Sequence, residues 1–235
     1  MGQKKLLRFS QIKAFPNVLE YPKDMQGKWH SFFENNHQII LELACGRGEY
    51  TVGLSGMHPE NNYIGVDVKG NRMYLGAKKC IDSGTKNAAF LRTQIEMIGA
   101  YFAPEEVSEI WITFPDPQLR SSRAKKRLTH PRFLKLYETF LKAGGPIHLK
   151  TDSPDLYRFT LKVIELCGLN LIRSMEDVYH SKDIFPELTI KTHYEGLDIA
   201  KSQTIFYLCF SLPEKWEEKK EELKEWIRIE KEIES

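Results

Sequence analysis

Short apolar runs alternate along this chain with longer stretches of helical periodicity, and this alternation limits the folds that it can adopt. The strand candidates lie at 39–43, 63–68, 88–91, 107–114, 147–150, 169–173 and 204–210. The helix candidates between them lie at 48–56, 72–83, 131–142 and 154–167. Strands that alternate with helices predict an α/β domain, with a mixed, mostly parallel seven-stranded sheet and helices on both faces. The last strand follows the irregular stretch 175–203, so we expect it to be antiparallel.

The chain has 235 residues, of which 41% are hydrophobic, and this is enough for one well-buried core. Its apolar runs are shorter than the roughly 18 residues of a membrane span, and its N-terminus lacks the apolar segment of a secretory signal. Cys45, Cys80, Cys167 and Cys209 are scattered without a CxxC pair, which predicts buried free thiols. These features favour a cytoplasmic protein with no membrane segment and no metal site.

The net charge of +2 conceals a segregation of charge along the chain. Residues 120–150 contain nine Lys or Arg and one acid, and the first 13 residues contain four Lys or Arg and no acid. From Pro213 onward, nine Glu stand against six Lys or Arg in a helix-prone tail. We therefore expect a main domain at 1–212 with a basic N-terminal arm, and an acidic helical extension at 213–235 that packs on this domain or binds a partner. The basic stretches are either a polyanion-binding surface or ordinary solvated surface.

The stretch IILELACGRGEY predicts a strand, a glycine turn and the start of a helix. Gly46 and Gly48 would let the backbone approach a ligand closely, and the helix that follows offers free N–H groups. A dinucleotide fingerprint would need a third glycine where this chain has Thr51. Glu42, near the end of the strand, would repel a pyrophosphate but attract a cationic or amino-bearing ligand, which favours S-adenosylmethionine over NAD. A salt-bridged or capping carboxylate is the structural alternative for Glu42.

Polar residues also follow the second and third strands. Asp67 ends the second strand 19 residues after Gly48, a distance at which a carboxylate can accept both ribose hydroxyls of a nucleoside. Gln94 follows the third strand, where its amide could both donate to and accept from an adenine edge. With the glycine turn, these residues predict a nucleoside-bearing cofactor at the carboxyl ends of the strands.

The fourth strand ends in FPDPQLRSSRAKKR, a carboxylate between two prolines followed by a cationic loop. Pro115 and Pro117 restrict the backbone on either side of Asp116, so we expect its carboxylate to be aimed into the crevice at the edge of the sheet. Five of the eight residues from Arg120 to Arg127 are basic, and they follow this crevice directly.

These segments, in this order, resemble the bacterial tRNA (guanine-N7)-methyltransferases, the TrmB-like family. The pieces that carry the resemblance are LELACGRGEY (41–50), NYIGVD (62–67), FPDP with KKRLTHPRFL (125–134), HLKTD (148–152) and THYE (192–195). The resemblance implies a class I S-adenosylmethionine-dependent methyltransferase fold, which is Rossmann-like, with a seven-stranded sheet whose last strand is antiparallel. It also implies S-adenosylmethionine as the methyl donor and N7 of a variable-loop guanine in tRNA as the acceptor.

Roles for single residues also follow from the resemblance. The residues that it places around the cofactor are Glu42, Asp67, Gln94 and Asp116. The residues that it places against the substrate are Arg120, Asp152, Thr192, His193, Tyr194 and Glu195. Three positions depart from the residues common in the family: Gln94 replaces Asp or Asn, Gln118 replaces Trp, and Arg120 replaces Lys. At position 118 the departure removes an aromatic surface.

The chemistry that this implies depends on positioning. Guanine N7 carries a lone pair and no proton, so methyl transfer to it needs alignment rather than a strong base. Asp116, Asp152 and Glu195 are the candidates for holding the N1–H and N2–H₂ donors of guanine, with Asp116 as the catalytic candidate, and the division of roles among them stays open. The cations that we expect along tRNA phosphates are Arg123, Lys125, Lys126 and Arg127.

Other functions stay open at this point. A methyltransferase of the same fold could act on a protein or a small molecule, although the cationic loop argues against this. Glu42 and Thr51 argue against an NAD-dependent dehydrogenase. A non-catalytic RNA-binding module is compatible with Gln94 and Gln118, but not with the acids retained at the other cofactor positions. The sequence leaves open whether the protein is a monomer or a homodimer.

Overall fold

One sheet of eight strands forms the centre of the molecule. The computed structural model describes residues 2–197, 201 and 203–234. The strands are β1 (Val18–Glu20), β2 (Gln38–Leu43), β3 (Asn61–Asp67), β4 (Ala88–Arg92), β5 (Glu109–Thr113), β6 (Pro146–Thr151), β7 (Asn170–Met175) and β8 (Phe206–Ser211). Their spatial order is β1-β4-β3-β2-β5-β6-β8-β7. Neighbouring strands are parallel except at β8, which runs antiparallel to both β6 and β7.

The seven predicted strands are confirmed, and the last of them is antiparallel as predicted. The count of seven is corrected to eight, because β1 adds an edge strand beside β4. This strand has only three residues. Such a short run is too brief to show the alternation by which strands are recognised in a sequence.

Seven α-helices accompany the sheet in the described part of the chain. They are α1 (Gly2–Ile12), α2 (Trp29–Phe33), α3 (Glu49–Met57), α4 (Gly70–Asp82), α5 (Pro131–Tyr137), α6 (Pro154–Cys167) and α7 (Lys220–Glu234). The prediction that α5 reaches residue 142 is wrong, because Leu141 instead forms a parallel bridge with Val107. Short helical turns lie at Ile95–Ala100, Ser121–Lys126, Pro186–Thr189 and Glu195–Leu197.

The helices cover both faces of the central strands, which explains why strands such as β2 and β3 are mostly apolar, whereas β7 at the sheet edge is largely exposed. Successive residues of a strand point to opposite faces. Leu41 therefore joins the larger core, with side chains of α2, α5, α6 and α7, whereas Ile40 packs with Tyr50 and Leu54 of α3. On that second face α1 lies against α4. The central strands are thus covered on both faces, and the polar side chains buried there, such as Glu42, His148 and Lys150, have internal partners.

The acidic tail packs on the main domain. Trp216 is 9% exposed, and its Nε1 donates to Glu138 Oε1 at 2.9 Å. Lys135 Nζ lies 4.1 Å from the centre of the same indole ring. Farther along the tail, Leu223 is 2% exposed and joins the larger core. The tail is therefore fixed in place, while a domain boundary at 212/213 stays a prediction.

The four cysteines are buried and unpaired, as predicted. Over the residues that the structure describes, no helix has the length and apolar character needed to cross a membrane. The same residues contain no group of three or more His, Cys, Asp or Glu arranged to hold a metal ion.

Candidate active site

A cleft of about 750 Å³ opens at the edge where the parallel strands end. Each of five strands contributes to its wall at or just beyond its last residue. These residues are Ala44 after β2, Asp67 in β3, Thr93 after β4, Phe114 after β5 and Asp152 after β6. Open α/β sheets bind ligands at this edge, so the cleft is the candidate active site.

Three residues in the cleft wall have a backbone conformation that L side chains rarely adopt. Ala44 has φ 57°, Phe114 has φ 47° and Gln118 has φ 47°. Outside glycine, such left-handed residues cost on the order of 1 kcal/mol each and occur often at functional sites. Here they turn the chain sharply where β2 and β5 end, so that backbone as well as side chains face the cleft.

Glu42 lies beneath the glycine turn, and the cleft wall begins two residues later, at Ala44. The residue is 3% exposed, and its carboxylate bridges α3 and β5. One oxygen accepts from the backbone N–H of Thr51 at 2.7 Å, and the other accepts from Thr113 Oγ1 at 3.0 Å. Burial raises the pKa of Glu42 to about 7, although the hydrogen bonds from Thr51 and Thr113 lower it. Thr51 occupies the position at which a dinucleotide fingerprint has its third glycine. In this chain it holds the Glu42 carboxylate.

The two glycines of the turn have different functions. Gly46 has φ 56°, lines the cleft and donates its backbone N–H to Asp67 Oδ2 at 3.0 Å. Gly48 has φ 73°, and a Cβ at this position would collide with the ring of Phe90. We expected both glycines to admit a ligand. Gly46 faces the cleft, whereas Gly48 allows α3 to pack closely on β4, and a ligand contact at either glycine stays a prediction.

Asp67 and Gln94 lie in the same cleft as Gly46. Asp67 is 8% exposed, and its second oxygen accepts from the backbone N–H of Lys69 at 2.8 Å. Gln94 is exposed and stands just before the helical turn Ile95–Ala100. The structure thus brings together the residues of the predicted cofactor site that follow β2, β3 and β4.

Asp116 lies in the cleft wall on an exposed loop between its two prolines. Its Oδ1 accepts from the backbone N–H of Gln118 at 3.0 Å, which closes a tight turn. From inside, Arg127 fastens this loop by donating its Nε to the carbonyl of Pro117 at 3.1 Å. Asp116 is therefore held by its own turn and by a cation beneath it.

The position of Arg127 differs from the phosphate contact expected from the sequence. Arg127 is 7% exposed, and its guanidinium lies 4.4 Å from the ring centre of Phe159. The other cations of this run, Arg123, Lys125 and Lys126, are exposed on the turn Ser121–Lys126, as is Arg120 just before it. Lys126 also reaches the cleft wall. The basic run is therefore a surface of exposed cations with one buried member.

The segment 192–195 contributes one wall of the cleft through Tyr194. A Cβ on Gly46 would lie 3.4 Å from the Tyr194 ring, and the Arg72 guanidinium lies 5.3 Å from the centre of that ring. Thr192 is buried, and its hydroxyl accepts from the backbone N–H of Glu195 at 3.1 Å. The exposed His193 donates its backbone N–H to a carboxylate oxygen of Glu49.

Glu195 faces a buried lysine that the sequence analysis missed. Its side chain is 6% exposed, that of Lys150 is fully buried, and Lys150 Nζ donates to Glu195 Oε2 at 3.0 Å. The same ammonium donates to the carbonyls of Leu188 at 2.9 Å and Ile190 at 3.1 Å, and the hydroxyl of Tyr179 also donates to Glu195. This ion pair ties the segment to β6, and a contact of Glu195 with guanine stays a prediction. A lysine within the apolar strand before Asp152 was the signal for it.

Comparison with known proteins agrees with this geometry. The sequence profile of a family described as "Putative methyltransferase" matches residues 36–208. A Bacteroides thetaiotaomicron protein named tRNA (guanine-N(7)-)-methyltransferase is 48% identical over 223 residues, which cover 91% of this chain and 88% of that protein. A protein of the same name from Christiangramia forsetii is 43% identical over 90% of this chain and 100% of its own length. This chain belongs to the tRNA (guanine-N7)-methyltransferase family.

Solved structures of methyltransferases share the fold of this chain. The 16S rRNA methyltransferase KamB aligns with a TM-score of 0.62 at 12% identity, covering 84% of this chain and 99% of KamB. The 30S ribosomal A1408 methyltransferase from an uncultured bacterium aligns with a TM-score of 0.56 at 13% identity, covering 79% of this chain and 92% of that one. At such low identity the likeness establishes the fold: a class I S-adenosylmethionine-dependent methyltransferase fold, here with β1 as an added edge strand.

Proposed function

We propose that this protein transfers a methyl group from S-adenosylmethionine to N7 of a variable-loop guanine in tRNA. The observation that carries the proposal is one cleft, at the ends of five parallel strands, in which Gly46, Asp67 and Asp116 meet beside an exposed cationic turn. Relatives that are 40–48% identical over most of this chain are named for this activity.

The residues present fit S-adenosylmethionine. Asp67 would accept the ribose hydroxyls, and the side-chain amide of Gln94 would meet the adenine edge. The backbone turn at Gly46 admits a close approach, and Glu42 beneath it supplies a carboxylate near the cationic end of the ligand. When bound, this cofactor supplies an electrophilic methyl carbon on a sulfonium sulfur. A cleft of about 750 Å³ is within the usual range for such ligands.

The protein residues at the acceptor side have to orient a base, not deprotonate it. Guanine N7 has a free lone pair, so alignment of the two reacting atoms supplies most of what catalysis requires. Asp116 and Asp152 line the cleft, and they would accept hydrogen bonds from guanine N1–H and N2–H₂. Adenine offers neither donor in that arrangement, so the carboxylates would select guanine. Glu195, through Lys150, would support the wall that carries Tyr194.

The exposed cations at the rim would guide the tRNA backbone to the cleft. Arg120, Arg123, Lys125 and Lys126 follow the Asp116 loop within ten residues and face solvent. Each phosphate that they neutralise releases condensed counterions, so tRNA binding should weaken steeply with added salt.

The first test is methyl transfer from labelled S-adenosylmethionine to an unmodified tRNA transcript, followed by borohydride reduction and aniline cleavage. One cut in the variable loop is the expected result, because the chain breaks only at 7-methylguanosine. Label without cleavage would retain methyl transfer and overturn N7 as the acceptor. Absence of label across several tRNAs, with cofactor bound, would overturn the tRNA substrate.

Asp116→Asn tests the proposed role of that carboxylate. Loss of one charged hydrogen bond to the base should reduce turnover by about tenfold or more, with cofactor affinity retained. Asp183→Asn, which neutralises another exposed carboxylate outside the cleft wall, is the matched control. Wild-type turnover in Asp116→Asn, with intact cofactor binding, would show that Asp116 has no catalytic role.

A further inference from the structure

A second cavity, of about 880 Å³, lies between the basic turn Ser121–Lys126 and the C-terminal helix α7. We call it the α7 groove. Its apolar lining includes Ala124 from the turn and Leu223 and Ile227 from α7. The basic turn separates it from the active-site cleft, because Lys126 lines the cleft whereas its neighbour Lys125 lines the α7 groove. A strand that leaves the cleft across this turn would therefore enter the α7 groove next.

The charged residues that line the α7 groove are mostly basic. The cations that line it are Lys125, Arg132, Lys220, Lys224 and Arg228, and its acidic lining residue among those described is Glu232. Residues four apart lie on the same side of a helix. α7 thus turns Lys220, Lys224 and Arg228 toward the α7 groove, although the tail as a whole has more Glu than Lys and Arg.

Three glutamates outside the groove lining pair with these cations, and Glu232 within the lining also pairs with Arg228 at 3.1 Å. Lys220 pairs with Glu218 at 3.1 Å, Lys224 with Glu221 at 2.6 Å, and Arg228 with Glu225 at 2.6 Å. In each pair the side chain of the cation is more than half exposed, and exposed pairs of this kind are worth little. An incoming phosphate oxygen can replace or share the carboxylate, so the pairs do not block an anionic ligand.

The α7 groove is preformed, because both of its walls are anchored to the domain core. Leu223 on one wall is 2% exposed, and Ala124 on the other is 3% exposed. Trp226 of α7 also lies against Phe159 of α6, with ring centres 6.4 Å apart. An occupant therefore meets a fixed row of cations above an apolar floor, without the entropy cost of ordering the helix.

We propose that the α7 groove binds the phosphate backbone of the same RNA that the cleft methylates, beyond the nucleotides that reach the cleft. This inference rests on the proposed function. Charge complementarity selects the occupant, since five cations against one acid match a row of phosphates, and the apolar floor matches the faces of ribose and base. The helix α7 of the acidic tail would then bind RNA through the side that carries Lys220, Lys224 and Arg228.

The test compares two triple variants with the same change in net charge. Lys220→Gln, Lys224→Gln and Arg228→Gln together remove the cations that α7 contributes to the α7 groove. Lys78→Gln, Lys79→Gln and Lys86→Gln together remove three exposed lysines that lie outside both cavity walls. Filter binding of an unmodified tRNA transcript is measured across a salt series, with cofactor affinity measured in parallel.

We expect the groove variant to weaken tRNA binding by at least roughly tenfold at about 0.1 M salt and to reduce the salt slope by about two units, with cofactor affinity unchanged. The control variant should show a smaller change in both quantities. Equal effects in the two variants would overturn the inference while leaving the proposed function intact. Failure of the wild-type protein to form 7-methylguanosine would count against the proposed function instead.

A second copy of this chain is the competing occupant. Sedimentation velocity of the wild-type protein and the groove variant decides between the two. A dimer that the groove substitutions dissociate, with tRNA affinity unchanged, would make the α7 groove an interface between copies and overturn the RNA assignment.

Discussion

Among single residues, Glu42 should make cofactor binding at the glycine turn depend on pH. Burial raises the pKa of this carboxyl to about 7, so near neutral pH it is only partly ionised. A ligand with a cationic group near the Gly46 turn stabilises the ionised form, and its affinity therefore rises as the pH increases through about 7. We expect S-adenosylmethionine to bind more tightly at about pH 8 than at about pH 6, and to release a proton on binding at intermediate pH. Calorimetry in two buffers of different ionisation enthalpy measures both effects.

Glu42→Gln is the control for this prediction. The amide keeps the shape but does not titrate. Its oxygen can accept from the Thr51 N–H, and its NH₂ can donate to Thr113 Oγ1, whose hydroxyl can turn to accept. The variant should bind the cofactor more weakly and with an affinity that is independent of pH over the same range. A pH dependence that survives in Glu42→Gln would assign the proton to another group.

Arg127 and Arg123 allow a comparison between a buried and an exposed member of one basic run. Arg127→Gln removes the donor to the Pro117 carbonyl, so the Asp116 loop loosens and we expect turnover to fall while the salt slope of tRNA binding stays unchanged. Arg123→Gln should do the reverse, reducing the salt slope by somewhat less than one unit with little effect on turnover at saturating tRNA. Equal salt slopes for the two variants would refute this division.

The sequence located the cleft residues better than it described their contacts. The prediction that Asp67 and Asp116 lie at one edge is confirmed, because Asp67 ends β3, Asp116 follows β5, and parallel strands end together. The sequence does not reveal that Glu195 pairs with Lys150 or that Arg127 donates to the Pro117 carbonyl, and a ligand contact of either residue stays a prediction. Whether a charged side chain faces solvent or an internal partner depends on tertiary packing, and a run of cations looks the same in either case.

At the scale of elements, burial decides which parts of the fold can be predicted. Buried strands such as β2, β3 and β8 are apolar runs that a sequence shows directly, and β7 can be recognised as well although five of its six residues are exposed. The edge strand β1 and the five-residue helix α2 were missed because neither is long enough to show a period. The helical turns within 175–203 likewise depend on long-range contacts, among them those of Lys150 with the Leu188 and Ile190 carbonyls.

The attachment of the segment 175–203 to β6 can be tested by removing the ammonium group of Lys150. Lys150→Met leaves the buried carboxylate of Glu195 without its cation, and such an unpaired charge costs about 3–5 kcal/mol. We expect a loss of that order in the free energy of unfolding, measured by urea denaturation. Adding Glu195→Gln to Lys150→Met removes the stranded charge and should restore much of the loss. A double variant no more stable than Lys150→Met would mean that the ammonium acts mainly through the two carbonyls.

For the molecule as a whole, the active-site cleft and the α7 groove are both built on the same sheet and core. The cleft forms where the strands end, and the basic turn that follows β5 borders both the cleft and the α7 groove. α7 completes the second surface because Trp216 and Leu223 anchor it to the same core. Substitutions at either surface should therefore alter binding without altering stability, whereas substitutions in the sheet should alter stability first.

A polar cluster within the sheet gives that stability a pH dependence. The His148 imidazole of β6 stacks on Trp111 of β5 with ring centres 4.1 Å apart, and its Nδ1 lies 2.7 Å from the Tyr207 hydroxyl of β8. Its Nε2 lies 3.2 Å from Glu109 Oε1, an ion pair when the ring is protonated. Burial lowers the pKa of His148, but Cys209 and the Glu109 carboxylate raise it more, to about 9 in the folded protein.

This pKa lies above the value of about 6.5 for histidine in an unfolded chain, so the folded state binds the proton more tightly. The resulting stabilisation is complete below about pH 6.5 and is lost as the pH rises through about 9. With a difference of about 2.5 pKa units, the loss is on the order of 3 kcal/mol. Urea denaturation between about pH 6 and about pH 10 should show this decline, and His148→Gln should flatten it. An equally steep decline in His148→Gln would place the titrating group elsewhere in the molecule.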